Sequence, residues 1–369
     1  MNLLPTSQSR RTPTASVSPI SLPDELIAEV LSCLTVRPLM RMRCVSKPWN
    51  SLISDPTFIK LHLHRTSQNA DFTLVYKSCP YSVSFTVIRL FENPPNFFCF
   101  PCYQFVEEQL VGSCNGLLCL VAYSRVYRNI QSWFRFWNPA TGKISQRLGF
   151  LLNDQTIPPR FTFGCDKSNN TYKVLALMHT KVRVFSLQDN AWSIIQNPPM
   201  PRICSMNAVY LSGSVNWLAC HGVSIRYPQF VIVSFDLGAE THTQFQSPPG
   251  FDQLPSVHAP NLTVLKDCLC FCHDFKQTHF VIWLMNKIGV EDSWTQFFKI
   301  SYHNLQIDPF EDLVSFLIPL CVSEKNDTLL LANEDRKVTI LYNWRENRIA
   351  LGPWWCTRLN YVESLVSHC

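Results

Sequence analysis

No stretch of about 18 consecutive apolar residues occurs in this chain, so a membrane-crossing helix is not expected. Residues 1–20 (MNLLPTSQSRRTPTASVSPI) lack the apolar segment of a secretory signal. They are rich in Ser, Thr and Pro and read as a disordered tail, and Arg10 and Arg11 are too few for a targeting signal. Also missing are H-E-x-x-H, the phosphate-binding loop, G-x-G-x-x-G and G-x-S-x-G. The loop histidines His221, His242, His258 and His303 read as bystanders, as do the acids Asp252, Asp292 and Glu311. No catalytic residue, cofactor or enzyme activity is therefore expected, although a fold by itself excludes none. Charge is scarce, at 16% of residues against 46% apolar, which excludes a disordered chain and leaves ample material for a core. The 369 residues allow one large domain or two smaller ones.

Cysteine, by contrast, is abundant, with sixteen in the chain. Disulfide frameworks belong mainly to small secreted domains, and this chain is long and shows no secretory signal. Cys114, Cys119 and Cys220 stand among apolar neighbours and read as small buried hydrophobes in a reducing compartment, cytoplasm, nucleus or both. Counting free thiols after denaturation would separate this from a secreted hydrolase. The sequons beginning at Asn169, Asn261 and Asn326 matter only in a secreted chain. The segment CLCFCHDFKQTH holds Cys268, Cys270, Cys272, His273 and His279. Zinc sites space their cysteines by two or more residues so that a tight turn aims both sulfurs inward. Here the spacing is one, which in a strand puts the three sulfurs on one face about 7 Å apart. That is a packed strand, and no metal is expected.

The net charge of +5 is uneven. Residues 1–66 hold 8 Lys/Arg and 4 Asp/Glu, while residues 67–369 hold 24 and 23. The excess sits in the one part of the chain with helical periodicity and suggests an acidic partner there. Ser21 with Asp24 has the form of a capping box, with Pro23 in a first turn. Leu26, Ile27, Val30, Leu31 and Leu34 follow at helical spacings. Thr35 and Val36 interrupt them, and Pro38 then opens a second short helix with Leu39, Met42 and Val45 inward. Ser46 caps a third helix, with Pro48 in its first turn and Trp49, Leu52 and Ile53 facing in. Asp55-Pro56 caps a further one. Three or four helices in about 45 residues barely cover their own apolar surface, so apolar groups are left for a partner. Arg37, Arg41, Arg43 and Lys47 would also suit a DNA-binding regulator. A reading helix, however, needs polar side chains for base edges, and the third helix offers Trp49, Leu52 and Ile53. A protein-docking module fits better.

Beyond residue 66 the period changes from 3.6 to 2, and short apolar runs alternate with turn residues. FRFWNPATGKI, VRVFSLQDNAWSI, VIVSFDLGAETHTQF, VIWLMNKIGVEDSWTQF and TILYNWRENRI each read strand, polar turn, strand. Their equivalent positions Asn138, Ser186, Asp236, Asn286 and Asn343 are spaced by 48, 50, 50 and 57. A second hairpin precedes each, centred on Asn115-Gly116, Asn169-Asn170, Ser212-Gly213, Lys266-Asp267 and Asn326-Asp327. Two hairpins per unit of about 50 residues is the period of a kelch-type propeller with about six four-stranded blades. Residues 67–110 and 353–369 are left to supply one more blade, closing the ring by pairing both ends.

LPDELIAEVLSCLTVRPLMRMRCVSKPWNSLISDPTF resembles an F-box. The matching positions are Leu22, Pro23, Leu26, Val30, Leu31, Leu34, Val36, Leu39, Arg43, Cys44, Val45, Lys47 and Trp49, and Thr35 departs from a common proline. The landmarks GSCNGLLCL, WNPATGK, TYKVLAL and VYLSGSVNWLA are similar to the kelch-like F-box-associated domain of plant proteins. The resemblance implies a helical F-box over 21–66 and a propeller over 67–369. It also implies a Skp-type adaptor and, through it, a cullin as partners, with an unidentified target protein and neither nucleic acid nor membrane. The implied role is substrate recognition in a ubiquitin ligase. The adaptor-binding residues it implies are Leu22, Pro23, Leu26, Val30, Leu31, Leu34, Val36, Leu39, Val45 and Trp49. Targets would meet loop residues of hot-spot type, with Tyr127, Trp133, Arg226, Tyr227 and Phe251 as candidates.

Overall fold

The computed structural model describes residues 22–68, 73–77, 85–89, 96–99, 108–127, 129–153, 158–178, 182–195, 202–221, 229–251, 260–308, 317–333, 338–352 and 361–367. The proposed tail 1–20 lies outside them. No helix among the described residues is long and apolar enough to cross a membrane.

Four helices open the chain: α1 (Asp24–Leu31), α2 (Val36–Met42), α3 (Lys47–Ser54) and α4 (Pro56–Gln68). Two of the expected caps form. Ser46 Oγ accepts from Trp49 N at 3.3 Å, and Asp55 Oδ1 accepts from Thr57 N at 2.7 Å and Phe58 N at 3.4 Å. These contacts use backbone donors that the first helical turn cannot pair by itself. Ser46→Ala should cost about 1 kcal/mol of helical-module stability, read as a lower midpoint of the 222 nm signal. The expected Ser21 cap is replaced: α1 starts with Pro23 as its N-cap and no side-chain cap, and Ser21 is outside the described residues. Val36, expected in the interruption, is the first residue of α2. Leu31, Val36, Leu39, Ile53 and Phe58 form the buried centre of this module. Arg65 of α4 ties down the end of α1, donating to Glu29 O and Ser32 Oγ, each at 2.6 Å, and pairing with the Glu29 carboxylate.

The remainder is β-sheet. A three-stranded sheet, β1 (Thr73–Lys77), β2 (Phe85–Arg89) and β3 (Asn96–Cys99), comes first. Five antiparallel blades follow. The first holds β4 (Gln109–Cys114), β5 (Leu117–Val126), β6 (Asn129–Asn138), β7 (Lys143–Ile144) and β8 (Leu148–Asn153). Here β7 pairs with the end of β6 (Asn138↔Lys143) and β8 with its start (Ile130↔Asn153). The two short strands lie end to end, so this blade is also four strands wide, with an interrupted outer strand. The second blade holds β9 (Arg160–Asp166), β10 (Thr171–Leu177), β11 (Val182–Ser186) and β12 (Ala191–Ile195). The third holds β13 (Arg202–Leu211), β14 (Ser214–His221), β15 (Gln229–Asp236) and β16 (His242–Gln246). The fourth holds β17 (Asn261–Leu265), β18 (Cys268–Phe275), β19 (His279–Met285) and β20 (Trp294–Ser301). The fifth holds β21 (Leu317–Ser323), β22 (Thr328–Asn333), β23 (Val338–Asn343) and β24 (Arg348–Gly352). Apart from β8, which pairs with β6, strands within each blade pair with their sequence neighbours, as two fused hairpins per blade require.

The anticipated hairpin turns all form. Both central residues have positive φ in Asn115-Gly116 (52° and 78°), Ser212-Gly213 (53° and 99°) and Lys266-Asp267 (53° and 55°). That is the turn whose twist matches that of paired strands. Asn170 and Asp327 take the left-handed position of longer turns. The repeating polar residue at the end of each third strand also has a physical reason. Asp236 Oδ1 accepts from Gly238 N at 2.8 Å and Ala239 N at 2.7 Å, and Asn343 Oδ1 accepts from Arg345 N at 3.1 Å and Glu346 N at 2.8 Å. Asn138 Oδ1 does the same for Ala140 N and Thr141 N, at 3.0 and 3.3 Å. A short side-chain oxygen that caps the following turn is the repeated requirement.

Four apolar clusters fill the four spaces between consecutive blades, anchored by Phe134 and Phe163, by Trp217 and Val184, by Leu262 and Ile232, and by Ile282 and Leu329. Inner strands are covered on both faces, so Leu117–Ala122 reads as a continuous apolar run, and Val215–Ala219 is buried throughout with Asn216 as its one polar residue. Between the second and third blades, Lys173 Nζ lies 3.5 Å from Asp166 Oδ2 and 3.1 Å from Glu240 Oε1. Burial would raise the Asp166 pKa, but the Ser168 hydroxyl and amide and Lys173 outweigh it and hold it below the usual value. A carboxylate depressed in the folded state stabilises it above the unfolded pKa and loses that contribution as pH falls. Lowering the pH from 7 to 3 should therefore reduce the urea midpoint of the parent chain more than that of Asp166→Asn.

Two expectations about the ring change. The described residues show five blades and a three-stranded sheet. Residues 361–367, expected to add a blade strand, have no regular structure and pack between the helical module and the first blade. Among the described residues nine cysteines are free, and six of them, Cys114, Cys119, Cys165, Cys270, Cys272 and Cys321, are buried as expected, while Cys33 and Cys44 are exposed and Cys268 is half-buried. The reading fails at Cys220, which is disulfide-bonded.

Candidate functional site

Helix α1 is apolar on two sides. Leu31 faces the module's centre with Ile27 and Ala28 against it. Leu26 and Val30, spaced by four, share the other side and are 53% and 68% exposed, and Leu22, just ahead of the N-cap Pro23, is 62% exposed beside them in sequence. A short helix gains nothing in isolation from presenting large aliphatic groups to water, so this stripe marks a surface made to be covered. Val45 adds a fourth exposed aliphatic group. It was expected inward, but α2 stops at Met42 and the turn Arg43–Val45 carries it off the helical face. Asp24, Glu25 and Glu29 are exposed on α1, and Arg37 and Arg41 on α2, giving the stripe a charged surround.

Pro23 is also exposed, and Leu34 and Trp49 are half-buried. Trp49 lines a cleft of about 330 Å³ with Asp24, Ile27, Pro48, Ser51, Leu52 and Asp55. Leu31, Val36 and Leu39 need correction as docking residues. They are fully buried in the module and shape the surface from beneath. The α3 helix turns Ile53 inward, with Leu52 against it, and leaves Lys47, Asn50, Ser51 and Ser54 outside, so a partner would meet its polar side. Arg43 is already engaged, donating to Asn50 Oδ1 at 3.0 Å and leaning on Met40 Sδ.

The target-surface candidates separate. Tyr127 is fully exposed at the β5–β6 turn with φ of 57°. Trp133 on β6 is half-buried, with the Arg147 guanidinium 4.8 Å above its ring and Phe150 at 6.2 Å. Phe150 and Leu152, not anticipated from the sequence, point outward from β8. Burial alternates strictly along Leu148–Asn153, but LGFLLN carries apolar residues on both faces, so the sequence holds no signal for which face is exposed. Phe251 packs edge-on against Phe271 and His273, both at 5.0 Å, so it fills an inter-blade space. Arg226 and Tyr227 lie outside the described residues. Among the described residues no group of His, Cys, Asp or Glu is arranged to hold a metal. Cys270 and Cys272 are buried with their sulfurs 3.5 Å apart. Burial pushes the Cys270 thiol up, and Cys272 adds to the effect.

Residues 20–61 match the family described as F-box domain, and residues 49–368 match the F-box associated beta propeller domain. The chain belongs to the F-box associated beta propeller family. Its relatives include an F-box/kelch-repeat protein of Arabidopsis thaliana, 26% identical over 357 residues and covering 90% of each chain. An F-box/LRR-repeat/kelch-repeat protein of the same plant is 26% identical over 346 residues, covering 89% of this chain and 88% of the other. The Arabidopsis F-box protein CPR1 is 25% identical over 355 residues, covering 86% and 81%. In this F-box protein the exposed α1 stripe lies inside the matched F-box, and the five blades lie inside the matched propeller domain.

Proposed function

We propose that the chain is the substrate-recognition subunit of a Skp–cullin–F-box ubiquitin ligase. The helical module, residues 21–66, docks a Skp-type adaptor, and the propeller, residues 67–369, holds the target protein. The chain itself performs no bond chemistry. It raises the effective concentration of the target's lysines at the ubiquitin-loaded enzyme. The observation that carries this reading is the set of exposed aliphatic groups Leu26 and Val30 on the first helix of a matched F-box, with Leu22 exposed just ahead of that helix. Tyr127 and Trp133 on the first blade, which are of hot-spot residue type, are the favoured target contacts, with Phe150 and Leu152 adding exposed apolar surface on the same blade. The test is size-exclusion chromatography of the full chain with a purified Skp-type adaptor and cullin. Co-elution of the three supports the reading. Separate elution, with instead a steeply salt-dependent affinity for duplex DNA, would overturn it.

A further inference from the structure

Asn138 does more than its counterparts in the other blades. Its Oδ1 caps the Ala140–Thr141 turn, as Asp236 and Asn343 do in theirs. Its Nδ2 leaves the blade and donates to Ser364 O at 2.9 Å and Val366 O at 2.8 Å. The corresponding amide of Asn343 stays within its own blade, donating to Asn326 O at 3.2 Å. Asn138 is fully buried, and all four of its hydrogen-bonding positions are used. Ser364, also fully buried, donates its hydroxyl to Asn115 O at 2.6 Å and accepts from Val366 N at 3.2 Å. Gly116 lies directly beneath with φ of 78°, and a Cβ there would overlap Ser364 Oγ and the Val362 carbonyl. One residue further, Leu365 enters the centre of the helical module beside Leu31, Val36, Leu39, Ile53 and Phe58, with Ala140 of the first blade against the same cluster. Burial lowers the pKa of His62 in α4, while the Leu34 carbonyl and Glu363 of the segment act against that shift.

We infer that residues 361–367 form a clasp that fixes the orientation of the helical module against the propeller, with Asn138 as its positioning residue. The polar half holds the segment to two turns of the first blade, and Leu365 is shared with the core of the other domain. Four short helices have too small a core to hold an orientation alone, so a borrowed leucine and a buried amide supply the rigidity. On the adaptor reading, the clasp sets the distance between the docking stripe and the target surface.

The experiment uses the isolated full chain, so its result is independent of the adaptor reading. Dyes are placed through unnatural amino acids at the exposed positions Lys47 and Lys287, because nine free cysteines preclude thiol labelling. Single-molecule energy transfer should give one narrow peak for the parent chain. Asn138→Asp keeps the turn-capping oxygen, as Asp236 demonstrates, but loses both donors and sets a carboxylate against two carbonyls. It should lose the narrow peak and spread to lower transfer, and Ser364→Ala should move the same way. Asn343→Asp should match the parent. Thermal unfolding by circular dichroism checks that each variant retains its sheet signal. A broad parent distribution, an unchanged peak in Asn138→Asp, or equal broadening in Asn343→Asp would overturn the clasp.

Discussion

Replacing Leu26 and Val30 together by Asp should weaken adaptor binding by at least ~100-fold, because each truncated interface anchor typically costs about 2 kcal/mol. Both side chains are more than half exposed in the free chain, and neither belongs to the module's buried centre. Their loss should therefore leave the thermal midpoint of the module nearly unchanged. Leu39→Asp is the informative contrast. Leu39 is fully buried in the module's core, so a charge there should unfold the module and abolish binding through lost structure. Titration calorimetry against the adaptor, read beside the 222 nm signal, separates the two cases. Unaltered adaptor affinity in the double variant would remove α1 from the docking surface.

Trp217→Ala should be the most destabilising single truncation in the propeller, costing about 3–5 kcal/mol. The indole is fully buried between the second and third blades, among Leu175, Val184, Val215, Val233 and Phe235. Removing it leaves a cavity that two twisted sheets cannot close without shifting against their neighbours. The indole nitrogen has no hydrogen-bond partner, and an unpaired buried donor is itself unfavourable by about 1–3 kcal/mol. Trp217→Phe keeps part of the ring volume and deletes that donor, so it should lose less than half as much stability as the alanine variant. Urea midpoints at constant transition slope measure both. Equal losses would mean that the indole nitrogen contributes to the interface and that ring volume alone does not account for the cost.

The amino-acid sequence by itself determined the local elements. Ser46 and Asp55 are caps wherever a helix follows them, because a side-chain oxygen satisfies backbone donors a few residues away. Asn115-Gly116 and Ser212-Gly213 form their turns because few other pairs tolerate two positive φ angles. The repeat from Asn138 to Asn343 is legible for the same reason, since the side chains of Asn138, Asp236 and Asn343 cap their own turns. Periodicity read Leu26, Ile27, Val30, Leu31 and Leu34 as one apolar face of α1, and it could not say that packing would cover Leu31 and leave Leu26 and Val30 outside. Leu31, Val36 and Leu39 went inward and Val45 outward because the packing angles of α2, α3 and α4 decide that, and those angles depend on contacts far apart in sequence. Phe251 has the residue type of a contact residue, but a neighbouring blade covers it. The clasp is the extreme case. Asn138 and Ser364 are 226 residues apart, and nothing local to either distinguishes Asn138 from Asn343. Only the tertiary structure, by carrying residues 361–367 back onto the first blade, turns the amide of one repeated asparagine into the bond between two domains.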